Sequence, residues 1–444
     1  MMSKGYGAPF EIVEIKEPQF PAEKFNILDY RTTDLEPRED KKLIQRTIDA
    51  CAAAGGGIVL VPEGQWLTGP IHLRSNVHLK FLKGAEVHFS DQFSDYLPVV
   101  FTRWEGLECY NYSPLIYARD CENIAITGEG ILYGNGQAWW HWKQLQQAAA
   151  DELCYAESNN IPVDIRVFGT EQAALRPQFV QPINCKNVLI EGITLIDGPQ
   201  WTLHPVYCEN LIIRKVKVNT NGPNTDGLNP DSCKNVLVED SHFKTGDDCV
   251  AINSGMNEDG WRVNKPCENV VVRNCIMEGG HGGVVIGSAM SGGVRNIYIH
   301  DCKISGNHWG IRLKSMRGRG GYVEKVWFEN IEINNVGREA IHINMYYPYS
   351  TVVPRSEAPP RFDQIYIKNV TGAGAAVGIE IRGLPEQPLQ EITLDNINLK
   401  ADQSLVCVDV EKLSLNQVRI EAKNHDSAVI ENVKQLTLKQ VSLG

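Results

Sequence analysis

The sequence predicts an all-β solenoid, a parallel β-helix closed at its N-terminal end by one capping helix. Three observations carry that expectation. A short unit, made of a polar residue, Asn, an alternating apolar run and a second short strand, recurs through most of the 444 residues. The Asn holds the same place in six successive units. The strongest helical spacing lies ahead of the repeats.

The clear copies begin at Glu122 (ENIAITGEGILYG), Lys186 (KNVLIEGITLIDG), Glu209, Lys234, Glu268 and Arg295, and weaker ones at Glu324, Asp363, Gln390, Glu411 and Lys434. A unit of about 21 to 29 residues with two short strands cannot bury its apolar face alone, but stacking successive copies does bury it. The fixed spacing of a leucine-rich repeat and the helices of a βαβ sheet are both missing. Asn123, Asn187, Asn210, Asn235, Asn269 and Asn296 are expected to stack as an amide ladder from coil to coil. Two residues before the Asn, five units carry Cys121, Cys185, Cys208, Cys233 and Cys267. Stacked strands point their Cβ atoms the same way, a poor geometry for disulfides, so these read as core thiols.

Asp40 to Ala54 has helical spacing at Ile44, Ile48 and Cys51, and stops at Gly55-Gly56-Gly57. A helix covering the first coil hides its strand edges. We therefore expect one domain over 1–444, with residues 1–57 as N-terminal segment and cap and 58–444 as coils. A loop insertion at about 134–182 contains Trp139, Trp140 and Trp142.

Composition narrows the function. With 43% hydrophobic and 22% charged residues the chain is of ordinary globular type, and the net charge of −11 argues against a nucleic-acid partner. No apolar run reaches the length of a membrane span. No Cys or His group has zinc spacing, so neither metal nor other cofactor is expected. Met1 to Phe10 lacks the basic start and apolar core of a secretory leader. A chain starting here is expected in the cytoplasm, one trimmed of a leader in the periplasm or outside the cell. Oligomeric state is left open.

Chemistry gathers in four consecutive units. Asn224-Thr225-Asp226-Gly227, Gly246-Asp247-Asp248, Gly280-His281-Gly282 and Arg312-Leu313-Lys314 all fall 12 to 16 residues after their repeat Asn. Each alone is an ordinary turn or surface charge. Equal phase on a β-helix, however, puts them on one wall, roughly 15 Å long at about 4.8 Å per coil. Clustered carboxylates suit glycosidic hydrolysis, where one protonates the leaving oxygen and others direct water. Arg312 and Lys314 then imply a substrate that carries a carboxylate, a uronic acid. Arg262, Lys265, Arg317 and Arg319 are candidates to extend the basic zone.

The set NTDG, GDD, GHG and R-x-K, in this order, resembles the polygalacturonase family of glycoside hydrolases. The opening stretch from Ile48 (IDACAAAGGGIVLVPEG) is similar to that family as well, and the likeness covers roughly 25–400. It implies a right-handed, single-stranded parallel β-helix and metal-free hydrolysis of α-1,4-galacturonide bonds in pectic chains, with inversion. By motif, Asp247 would be the general acid, Asp226 and Asp248 would hold the water, and His281 would tune the acid. Asn224, Arg312, Lys314 and Tyr347 would bind substrate, and His204 would be a further contact. Tyr346 is the lesser candidate for the family's late tyrosine. Inversion comes from the resemblance alone, because one coil of spacing brings Asp226 and Asp248 closer than inverting carboxylates usually stand.

The pattern is most similar to the bacterial exo-acting branch. Two segments are candidates for the wall that closes an exo site: the 134–182 insertion and SGMNEDGWRVNKP from Ser254. The rival readings are a rhamnogalacturonan or branched-pectin galacturonidase, a calcium-dependent pectate lyase and a non-catalytic glycan-binding β-helix.

Overall fold

A computed structural model describes residues 5–347, 358–424 and 428–444. Within it the chain forms two compact units, Glu14–Gly246 and Asp247–Gly444, the latter joined by residues up to Val13. Both consist of right-handed parallel β-helix coils, as the repeats and the resemblance predict.

In the Glu14–Gly246 unit the strands Gly57–Val61, Val77–Phe81, Glu122–Gly128, Lys186–Glu191, Glu209–Arg214 and Lys234–Glu239 pair in parallel, each with the next. The register lines up Val59, Leu79, Ile126, Ile190, Ile213 and Val238, all of them buried. Each aliphatic side chain so buried contributes about 1.5–3 kcal/mol. The expected amide ladder is present: Asn123, Asn187, Asn210 and Asn235 each donate Nδ2 to the asparagine one coil before, at 3.0–3.1 Å. All four hold positive φ, which Asn tolerates better than most residues. The cysteines Cys121, Cys185, Cys208 and Cys233 are buried free thiols, and each donates to backbone carbonyls.

The cap α1 (Leu43–Ala53) turns Leu43, Ile44, Ile48 and Cys51 inward. It ends where it must: Gly56 has φ +107, and a Cβ there would lie 2.5 Å from the Asn76 carbonyl. The insertion contains more helix than its sequence suggests, with α2 (Gln137–Trp140) and α3 (Gln147–Ser158). Trp139 and Trp142 are buried against each other and against Phe93 and Tyr112. They anchor the insertion to the segment before it through a small aromatic core and leave no ring face of their own for a sugar.

In the Asp247–Gly444 unit the same architecture runs through Cys267–Arg273, Val294–Ser305, Tyr322–Asn334 and Arg361–Arg382 into Leu389–Ala422. Val272, Ile299, Phe328, Ile367 and Leu394 form its inward stack. A second parallel ladder joins Val250–Ile252, Gly282–Ile286, Trp309–Lys314 and Glu339–Asn344, and this one carries the chemistry.

Candidate active site

Along that ladder Ala251, Val285, Arg312, His342 and Glu380 are successive register partners. Lys314, Asn344 and Arg382 form the parallel row. Strand residues two apart share a face, so each coil presents a pair: Arg312 and Lys314, then His342 and Asn344, then Glu380 and Arg382.

Asp247 and Asp248 precede the first of these strands and receive different partners. Asp247 Oδ1 lies 2.8 Å from His281 Nδ1, and it accepts the Asp248 backbone N–H at 2.9 Å. The His281 N–H in turn donates to the Asp247 carbonyl at 3.1 Å. Burial, the strongest single influence on Asp247, pushes its carboxyl up. The His281 hydrogen bond and charge, with Lys314 and the Asp248 amide, outweigh it and leave the carboxyl below its ordinary range. His281 is raised, first by its hydrogen bond to Asp247. Asp248 Oδ2 accepts from Lys314 Nζ at 2.9 Å, both side chains being buried. The burial that would lower Lys314 is overcome by Asp248 and the neighbouring Tyr347, so it stays an ammonium. The other oxygen, Asp248 Oδ1, is buried without a hydrogen-bond partner.

Arg312 is 1% exposed and lies with its guanidinium carbon 3.6 Å over the Trp309 ring, a cation–π seat. Its Nε and Nη2 have no hydrogen-bond partner, and no ion pair joins it among the described residues. Tyr347 faces the same cations, its ring centre 5.7 Å from the Arg312 guanidinium and 5.2 Å from Lys314 Nζ. Tyr346 is more exposed, with Arg317 over its ring. Trp309, Arg312, Lys314, His342, Glu339 and both tyrosines line a cavity of about 180 Å³.

Asp247, Asp248 and His281 also offer ligand atoms within 4.8 Å of one another, the one such group of three among the described residues. A divalent cation there would compete with Lys314 for Asp248.

Asn224, Asp226 and His204 belong to the Glu14–Gly246 unit. Asp226 is buried and accepts from Asn229 Nδ2 at 2.8 Å. Asn224 has φ +55, and its side-chain oxygen accepts from the buried Arg176 at 2.8 Å. His204 corrects the expectation of a substrate contact. It is fully buried, with Nδ1 2.9 Å from Gln181 Nε2 and Nε2 3.4 Å from Asp231, so it presents no surface to a sugar. Of the extra basic residues, Arg317 pairs with Glu386 beside Tyr346 and Arg262 with Asp259, while Arg319 donates to Asn257. The segment after Ser254 forms α4 (Asn257–Val263), and the half-exposed Trp261 donates to the Arg319 carbonyl.

Sequence reading missed Trp309, His342 and Glu380. Their signal was phase. Arg312 follows Asn296 by the same distance, within one residue, as His342 follows Lys325 and Glu380 follows Gln364. Lys325 and Gln364 have taken the place of the marker Asn and keep its positive φ.

Comparison with known proteins fits this arrangement. Residues 166–440 match the family described as glycosyl hydrolases family 28. A probable polygalacturonase of Vitis vinifera is 28% identical over 381 residues, 81% of this chain and 71% of that protein. An exo-poly-alpha-D-galacturonosidase of Dickeya chrysanthemi is 28% identical over 376 residues, 77% of this chain and 61% of its own length. The crystal structure of a hyperthermoactive exopolygalacturonase from Thermotoga maritima is 38% identical. It superposes with a TM-score of 0.86 over 92% of this chain and 94% of that one.

Proposed function

Since the chain belongs to glycosyl hydrolases family 28, we propose that it hydrolyses α-1,4-galacturonide bonds of pectic chains and releases galacturonate from a chain end. The observation that carries this reading is Arg312: a buried, unpartnered guanidinium beside two carboxylates with different partners. A guanidinium fork without a protein carboxylate matches a carboxylate brought by the substrate. The names of the Dickeya and Thermotoga relatives favour exo action.

In this reading Asp247 is the general acid. It shares a proton with His281, and the pair delivers that proton to the leaving oxygen. Asp248, anchored through one oxygen by Lys314, directs its unpartnered Oδ1 at the attacking water. Asp226 is assigned to the water by its motif, Asn224 to substrate by the same motif, and Tyr347 to the sugar beside Arg312. Inversion remains the family's implication.

Product analysis tests it. Polygalacturonate and short oligogalacturonides should yield galacturonate monomer alone, with the β-anomer first by proton NMR, and rhamnogalacturonan should be untouched. Activity lost to a chelator, with an unsaturated ultraviolet-absorbing product, would indicate a lyase. No turnover of any galacturonide would overturn the reading.

A further inference from the structure

Arg312 is not the only buried group in its cavity with unused hydrogen-bonding capacity. His342, one coil on and directly in register, is 7% exposed, and its Nδ1 has no partner. Its other nitrogen faces Glu380 at 3.8 Å. Burial first, then the surrounding Arg312, Lys314, Arg338 and Arg382, push its pKa down to about 3, so the ring is neutral. A neutral imidazole has one nitrogen that accepts. Glu339, whose carboxyl is raised by burial and by Glu380 and pulled back by the nearby Trp309 indole, has a buried Oε2 without a hydrogen-bond partner, and so has the Trp309 Nε1 donor. The cavity therefore combines donors at Arg312 and Trp309 with acceptors at His342 and Glu339.

Leaving a buried polar atom unpaired costs stability, because its hydration is lost with nothing in exchange. Two acceptors, a donor fork and the Trp309 N–H unpaired in one cavity therefore point to a ligand with the opposite pattern: a carboxylate to take the N–H groups and hydroxyls that donate and accept. Building on the galacturonide reading, we propose that His342 and Glu339 determine specificity by accepting hydrogen bonds from the ring hydroxyls of the sugar whose carboxylate Arg312 binds. An O-acetyl group at such a position removes the donor and adds bulk to a cavity of about 180 Å³. The enzyme then selects galacturonate that is both unesterified and unacetylated.

The test compares trigalacturonate with the same trimer acetylated at O-2 or at O-3. Wild type should cleave at least one acetylated form about 100-fold less efficiently, in kcat/KM, than the free trimer. His342→Ala should raise KM for the free trimer about tenfold, keep kcat within about threefold and shrink the acetyl discrimination to below about tenfold. Glu339→Met, which keeps the length of the side chain and removes both acceptor oxygens, should relax the same ratio in the same direction and carries the test if His342→Ala does not fold. Equal cleavage of free and acetylated trimers by wild type, or an unchanged ratio in a folded variant, would overturn the proposal. If wild type cleaves neither trimer, the hydrolase reading fails instead. Titration calorimetry with galacturonate and its 2-O- and 3-O-acetyl forms then decides the binding proposal by itself, with tighter binding of the free sugar expected in wild type and lost in His342→Ala.

Discussion

Two clusters in this chain are made of the same parts and put to opposite use. In the Glu14–Gly246 unit, fully buried Arg103 donates to Asp231 at 2.9 Å, to Ser232 at 2.9 Å and to the Gly106 carbonyl at 3.1 Å. Asp231 and Gln181 hold the two nitrogens of His204. In the Asp247–Gly444 unit, Arg312 is as deeply buried but stacks on Trp309 with two nitrogens unpartnered, and His281 is half-exposed on Asp247. Burial of an arginine, an aspartate and a histidine therefore says little about role. What separates the two clusters is whether the polar atoms meet the protein's own groups or are left for something else.

Asp247→Asn is the largest expected break in that contrast. If Asp247 is the general acid, as proposed, its loss should lower kcat by about 10² to 10⁴, while the thermal midpoint stays near wild type. Asp231→Asn should do the reverse, because it leaves Arg103 and His204 buried against a neutral amide. If Asp247→Asn unfolds the protein instead, the two clusters do the same work. The arginines make the next pair. Arg103→Met strands the Asp231 carboxylate and should cost about 3–5 kcal/mol of stability by denaturant titration. Arg312→Met strands no acid among the described residues. It should leave stability unchanged or higher and raise KM for galacturonides about 10- to 100-fold through the lost charged hydrogen bonds.

The sequence disclosed these two clusters unequally. The coils were legible because period, Asn marker and apolar alternation repeat in the chain itself, and Asn123 to Asn235 do stack as the repeat requires. The first four polar clusters were legible for the same reason, each counted from an asparagine. Beyond Asn296 the marker becomes Lys325 and then Gln364. The backbone keeps the turn but the letter is lost, so His342 and Glu380 went unseen. His204 failed differently. A polar residue just before a functional motif gives no sign of which way it faces, and the Gln181 and Asp231 partners that hold it inward lie on other coils, 23 and 27 residues away. Trp139 and Trp142 of the insertion pack on one another for a related reason, since aromatic clustering marks a small core as readily as a sugar platform.

The two histidines sharpen the comparison through pH, with opposite signs. His281 is raised by its hydrogen bond to Asp247. The stability it adds is therefore fully present below the unfolded value of about 6.5 and lost as pH rises through the higher folded value. In the proposed mechanism the same proton serves catalysis, so the alkaline limb of kcat/KM should lie above pH 6.5. His281→Asn removes the titrating imidazole, leaves burial of Asp247 opposed only by Lys314 and the Asp248 amide and should move that limb to lower pH; an unmoved limb would separate His281 from the acid. His204 is lowered, chiefly by burial and against the pull of Asp231. There the unfolded chain takes up a proton near pH 6.5 that the folded one refuses, so stability falls as pH drops below that point. His204→Gln should flatten this acid-side loss in a melting series, with no movement of the kcat/KM limb. It is the smallest effect expected. It is also the most discriminating, because a His204 that touched substrate would shift the activity profile and leave the melting series to its neighbours.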